Sequence, residues 1–288
     1  MNGSATASEP IPRLSLKKLA SSALPRRNHC LVVIKSYFDG GNQEVAGEYE
    51  RITLAVACGT VEQWQAFEAD WGKTLDKHGV RFLHTTDAAS LHKEFSKAKG
   101  WDTMSVDALI HDCAEVADRH LQREPQKAGL CVVTLTIAFD DYSRARKINP
   151  ELPNTATEIC ATECLSFALK WGRYVGATSY ELYFDQGEPF YGHVYDRRHN
   201  KKSKKAIPLM SSVVHLGESD MRVSPALQLS DLFAWCGNHQ PGERSWHRRI
   251  NDLHWWGLYL GYEHLLNPRQ GVLDHMNSWN LPPRAKKY

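Results

Sequence analysis

Three aspartates in this sequence stand where an apolar element would otherwise continue. Asp39 closes the run 31–38, Asp185 closes the run 180–184, and Asp231 interrupts an apolar stretch over 226–236. Sites in open α/β sheets form beyond strand ends, so aspartates ending neighbouring strands repel one another unless a cation intervenes. Carboxylate oxygens completed by water suit Mg²⁺ or Mn²⁺. Zinc is a poorer fit: Cys160 and Cys164 lie one helical turn apart, but no second Cys or His pair follows at zinc-site spacing. The structural alternative makes Asp39 a turn former before Gly40 and Gly41, and Asp185 or Asp231 a capping or ion-paired group.

These side chains need elements to position them. The β-branched run 31–38 predicts a buried strand ending in a turn at Asp39, and 52–58 predicts its antiparallel neighbour. Thr60 with Gln63 forms a capping-box pattern, and Val61, Trp64, Phe67, Trp71 and Leu75 repeat at helical spacing until Gly79. A short strand over 80–83 would deliver His84, Thr85, Thr86 and Asp87 to a loop, followed by irregular chain to Trp101. A helix over 104–122, a strand over 130–139, a helix from Thr155 and Glu158 towards Tyr174, and strands over 180–184 and 207–216 follow. Ser224 and Pro225 make a cap and a first-turn proline, predicting a helix over 226–236. On it Leu229, Phe233 and Cys236 face the core, while Gln228, Asp231 and Trp235 share the neighbouring face. This order points to an α/β fold with a mixed sheet.

Four ordered motifs, YFDGG (37–41), FLHTTD (82–87), YFDQGEPF (183–190) and LQLSDLFAW (227–235), resemble those of the DUF3800 family. The resemblance covers roughly residues 31–235, and the helix motif is its most specific part. It implies a ribonuclease H-like five-stranded mixed sheet flanked by helices, with an acidic metal site. It assigns the metal and catalytic aspartates to Asp39, Asp185 and Asp231, and the histidine-bearing loop to His84 and Asp87. Gln186 and Gln228 would orient ligands from behind. Where many relatives carry Glu and Ser after the first aspartate, this chain has Gly40 and Gly41, so one acidic group is missing and Asp87 is a candidate replacement. Ribonuclease H-like folds commonly hydrolyse phosphodiesters with two metals, with His84 here as a proton carrier. The function implied is a metal-dependent nuclease or related phosphodiester-processing hydrolase. The alternative is a non-catalytic ribonuclease H-like module that binds nucleic acid or a protein partner.

Composition sets the outer bounds. Hydrophobic residues at 42% and charged residues at 24% exclude a disordered or fibrous chain, and a net charge of +2 means that any phosphate-binding surface must come from local clustering. One such cluster is Arg197, Arg198, Lys201, Lys202, Lys204 and Lys205, read either as a nucleic-acid-binding loop or as a solvated charge run. Seven cysteines, an odd number set mostly in apolar runs, read as reduced core thiols. With no membrane-spanning run and no secretory signal, the expected compartment is the cytoplasm. The predicted organisation is a flexible arm over 1–28, a main domain over 29–238, and an aromatic-rich helical extension and tail over 239–288 containing Trp246, Trp255, Trp256 and Tyr259. Trp255, Trp256 and Tyr259 are expected to be helix core, with base stacking the alternative.

Overall fold

The computed structural model describes residues 32–45, 48–122, 129–199, 208–239, 244–253 and 255–266. Among these, six strands form one mixed sheet: β1 (Val33–Val45), β2 (Glu48–Thr60), β3 (Cys131–Ala138), β4 (Ser179–Asp185), β5 (Val213–Ser219) and β6 (Trp256–Tyr259). Their order across the sheet is β5-β4-β1-β2-β3-β6. The central β1–β2 and β2–β3 pairs are antiparallel, and the outer pairs are parallel. The chain is thus α/β with helices on both faces, as the sequence predicts. The sixth strand was not expected: Trp256–Tyr259 pairs with β3, where the sequence suggested helix. The arm over 1–28 and the chain beyond residue 266 lie outside the described residues.

Strand alternation assigns each side chain to a layer. Ile34 and Phe38 of β1, with Tyr180, Leu182 and Phe184 of β4, enter one core beneath the helices Phe139–Ile148 and Ala156–Tyr174. Tyr37 and Asp39, with Tyr183 and Asp185, point to the opposite face. That face is covered at β1, β2 and β3 by α1 (Val61–Lys77) and α7 (Pro225–Asn238). Elements between them in chain order are α2 (Thr85–Ala89), α3 (Thr103–His120), α4 (Phe139–Ile148), α5 (Ala156–Tyr174) and α6 (Pro189–His199). Two short helices follow, α8 (Ser245–Asn251) and α9 (Tyr262–Leu266).

Three local differences from expectation have physical causes. First, β1 does not turn at Asp39: Asp39, Gly40 and Gly41 stay in register with Ala55, Leu54 and Thr53, because β2 goes on supplying backbone partners. The parallel pairing with β4 stops at Phe38↔Phe184. Second, residues 80–83 form no strand, since the Leu83 N–H is satisfied by the Gln228 side chain at 3.0 Å instead of a ladder. Third, β5 starts at Val213 because Pro208–Ser212 is a 3₁₀ turn.

The capping box at Thr60 and Gln63 is present in both directions, and α1 buries Trp64, Phe67, Trp71 and Leu75 before Gly79 (φ +67°) redirects the chain. Helix α7 starts at Pro225, one residue before the expected span 226–236 and two residues longer at its end, and the Ser224 side chain makes no cap hydrogen bond. Nearly all of α7 is buried, so both faces assigned from periodicity are interior. It seats against β1 at Gly41, where a Cβ would be in ordinary contact with the Ala234 carbonyl oxygen at 3.4 Å. The six described cysteines are free and buried, and burial pushes the Cys58 thiol up to about 12. No helix among the described residues is long and apolar enough to cross a membrane.

Candidate acidic site

Asp39 lies on the face of β1 that α7 covers, and Asp231 of α7 meets the Thr85 backbone. Both are buried, at 3% and 6% exposure, while Asp185 at the end of β4 is half-buried. Each is held by a backbone N–H. Asp39 Oδ1 accepts from Gly40 at 2.9 Å, Asp231 Oδ2 from Thr85 at 2.6 Å, and Asp185 Oδ1 from Met221 at 3.0 Å. Asp39 Oδ2 is buried with no hydrogen-bond partner.

The three predicted aspartates act on one another. Burial holds the Asp39 carboxyl well above the usual carboxylate range, and the charges of Asp231, Glu188 and Asp185 push it further. Asp231 is raised by burial, opposed chiefly by His84 and the Thr85 N–H. Asp185 is raised by burial and lowered by the N–H groups of Met221 and Gln186. His84 is thus the side chain that lowers both Asp185 and Asp231, whereas the opposing influence on Asp39 is the Gly40 N–H.

Glu188 is the acidic residue to which the sequence reading gave no role. Asp185, Gln186, Gly187 and Glu188 form a turn in which the Glu188 N–H donates to the Asp185 carbonyl at 3.3 Å and Gly187 takes φ +82°. Positive φ at the third position of a turn is what glycine permits. The turn brings Glu188 back into the site, where burial and the charge of Asp185 push its carboxyl up to about 7. It fits because residue 40 has no side chain: a Cβ there would lie 2.5 Å from Glu188 Oε2 and would also strike the Phe190 ring. Glu188 therefore stands beside Asp39 through space as a fourth carboxylate. The Asp-x-Gly-Glu turn signature was the available signal.

Other predicted residues have different surroundings. Asp87 Oδ2 lies 2.9 Å from His84 Nδ1 and 3.1 Å from Lys93 Nζ, so its charge serves that loop. Gln186 touches Asp185 through its backbone N–H, and its side chain is exposed. Gln228 is a buried junction: Oε1 accepts from Trp71 Nε1 at 2.8 Å and from Leu83 N at 3.0 Å, and Nε2 donates to the Met221 carbonyl at 2.9 Å. It ties down the two backbone segments whose N–H groups orient Asp231 and Asp185. Arg197 pairs with Glu158 at 3.2 Å, Arg198 is half-buried at the end of α6, and Lys201, Lys202, Lys204 and Lys205 lie outside the described residues.

The oxygen-only donor set and the orphaned Asp39 Oδ2 suit a hard divalent cation, which would offset the mutual repulsion. Among the described residues, however, no three His, Cys, Asp or Glu side chains stand as a ready-made ligand set. Comparison with protein-family models, with curated proteins and with solved structures returns no match. The functional reading therefore rests on the site.

Proposed function

We propose that this chain is a metal-dependent nuclease or related phosphodiester-processing enzyme of the ribonuclease H-like, DUF3800 type, acting on nucleic acid in the cytoplasm. The observation that carries the reading is Asp39 Oδ2, buried and unpartnered beside three further carboxylates. An apolar core rarely strands such a group unless a ligand completes it. Asp39, Asp185, Asp231 and Glu188 would hold Mg²⁺ or Mn²⁺. When bound, such a cation stabilises charge on the phosphate and lowers the pKa of attacking water. The protein's own part is orientation: the Thr85 and Met221 N–H groups hold two carboxylates, and Gln228 holds the Leu83 N–H, two residues before Thr85, and the Met221 carbonyl. His84, held at Nδ1 by Asp87, presents its other nitrogen for proton movement.

A second reading, a non-catalytic module that binds nucleic acid or a protein, draws on the lack of a preformed ligand set among the described residues. Titrating Mn²⁺ while following Tm and cleavage of labelled DNA and RNA separates the two. The catalytic reading expects a rise in Tm, worth about 2.7 kcal/mol at a hundredfold excess over Kd, together with cleavage. No shift and no cleavage at millimolar metal leaves the binding module.

A further inference from the structure

A row of aromatic rings leads from the core to the sheet edge beside the acidic site. Trp64 meets Tyr37 edge-on, with centroids 4.9 Å apart. Tyr37 stacks on Tyr183 at 5.0 Å and 15°, and Tyr183 meets His215 at 4.8 Å and 34°. These residues come from α1, β1, β4 and β5 in turn, so each ring fills the face of the next. The row ends on His215, which is exposed on the edge strand β5. Helices α1 and α7 pack over β1, and no helix among the described residues packs broadly over β4 and β5 on this side.

The ring of His215 is aimed. Its strand position pairs with Glu181, yet the imidazole leans along β5 over Gly217, where a Cβ would lie 2.8 Å from Nε2. Gly217 pairs with Tyr183, and the next outward-facing pair is Asp185 with Ser219. Two strand residues, ~7 Å, separate this platform from the acidic site. The rim is polar: Lys35 sits 5.7 Å over the Tyr183 ring and pairs with Glu181, which also accepts from the Tyr183 hydroxyl. A flat, open π-face with a polar rim, one short step from carboxylates, matches a nucleobase better than an aliphatic segment. In a duplex, each base face is already covered by its neighbours.

We propose that the outer face of His215 receives an unpaired base of a single-stranded polynucleotide whose backbone passes Asp185. The proposal rests on the phosphodiester reading only for what happens to the phosphate. The test is fluorescence anisotropy of full-length protein in Ca²⁺ with a short oligothymidylate, a duplex of the same length, and an abasic strand of the same length. The parent should bind the base-bearing single strand in preference to both others. His215→Ala should weaken that binding roughly tenfold, since base–aromatic stacking falls in a range of about 5- to 150-fold per base. Its abasic binding and Tm should stay unchanged, and His215→Trp should restore the preference. Gly217→Ala, which displaces the ring without removing it, should act like His215→Ala. Equal binding of abasic and base-bearing strands, an unaltered preference in His215→Ala, or no binding of any strand overturns the proposal. Base preference without metal-dependent cleavage keeps the platform and removes the catalytic reading; cleavage without base preference does the reverse.

Discussion

Glu188 Oε2 lies 2.5 Å from where a Cβ on residue 40 would stand, so Gly40 and Glu188 occupy one side chain's worth of space between them. A turn after β4 delivers this carboxylate to the end of β1, and the arrangement makes residue 40 intolerant of a side chain. Gly40→Ala should displace Glu188 and crowd Phe190, costing about 1–3 kcal/mol in urea unfolding and reducing any metal-induced rise in Tm. An alanine variant as stable as the parent, with the same metal response, would show that Glu188 does not depend on that space.

Asp231→Asn tests the like-charge crowding directly. Asn retains an oxygen to accept the Thr85 N–H, and removing the charge relieves repulsion with Asp39 and Asp185. The metal-free variant should melt at the parent's temperature or up to several degrees higher, while its metal-induced shift and any cleavage shrink. If Asp231 were instead a buried ion-pair partner, neutralising it would cost about 3–5 kcal/mol. A lower Tm with an intact metal shift would exclude Asp231 as a ligand.

Stability should depend on pH with a definite sign. Asp39, Asp185, Asp231 and Glu188 all have carboxyls raised in the folded state, so the native protein holds protons more tightly than the unfolded chain. Metal-free stability is then full below the ordinary carboxylate range and falls as pH climbs through the Glu188 value of about 7. Glu188 alone accounts for a loss on the order of 3 kcal/mol, from 1.36 kcal/mol per pH unit. Asp102, which is exposed, and the partly exposed Asp70, Asp112 and Asp220 are lowered instead, and their opposing effect is confined to more acidic solution. Urea midpoints in EDTA from pH 4.5 to 7.5 should decline, Mn²⁺ should flatten the decline, and Glu188→Gln should remove much of it. A midpoint that rises across this range would contradict the assigned crowding.

Gln228→Leu should uncouple the site from its support. The change leaves Trp71 Nε1, the Leu83 N–H and the Met221 carbonyl without their partner, a loss on the order of 3 kcal/mol. Amide exchange at Leu83, Thr85 and Met221 should accelerate more than exchange in β2. Uniform acceleration would indicate general destabilisation and no special coupling to the two carboxylate-holding segments.

The three aspartates were legible because a charge inside an apolar run is conspicuous in sequence. Gln228 was also reachable, through the motif that contains it. Glu188 was not, because its position depends on how Gly187 bends the chain, and a turn signature does not say what its last side chain meets. Thr85 and Met221 act through backbone N–H groups, which every residue other than proline carries and no composition reveals. Gly40 and Gly41 read as a turn because glycine usually punctuates; only the neighbouring β2, selected by tertiary pairing, keeps them in a strand. Four residues of β6 were too few to display a period, so their pairing with β3 had no local sign.

The carboxylates meet from three distant stretches of chain, around residues 39, 185–188 and 231. In an unfolded chain these stretches are far apart; pairing of β1 with β4 brings Asp39 to Asp185 and Glu188, and α7 adds Asp231. The electrostatic cost therefore belongs to the tertiary assembly and to none of its elements alone, and a counter-charge that enters the site acts on the assembled fold without stabilising the separated segments.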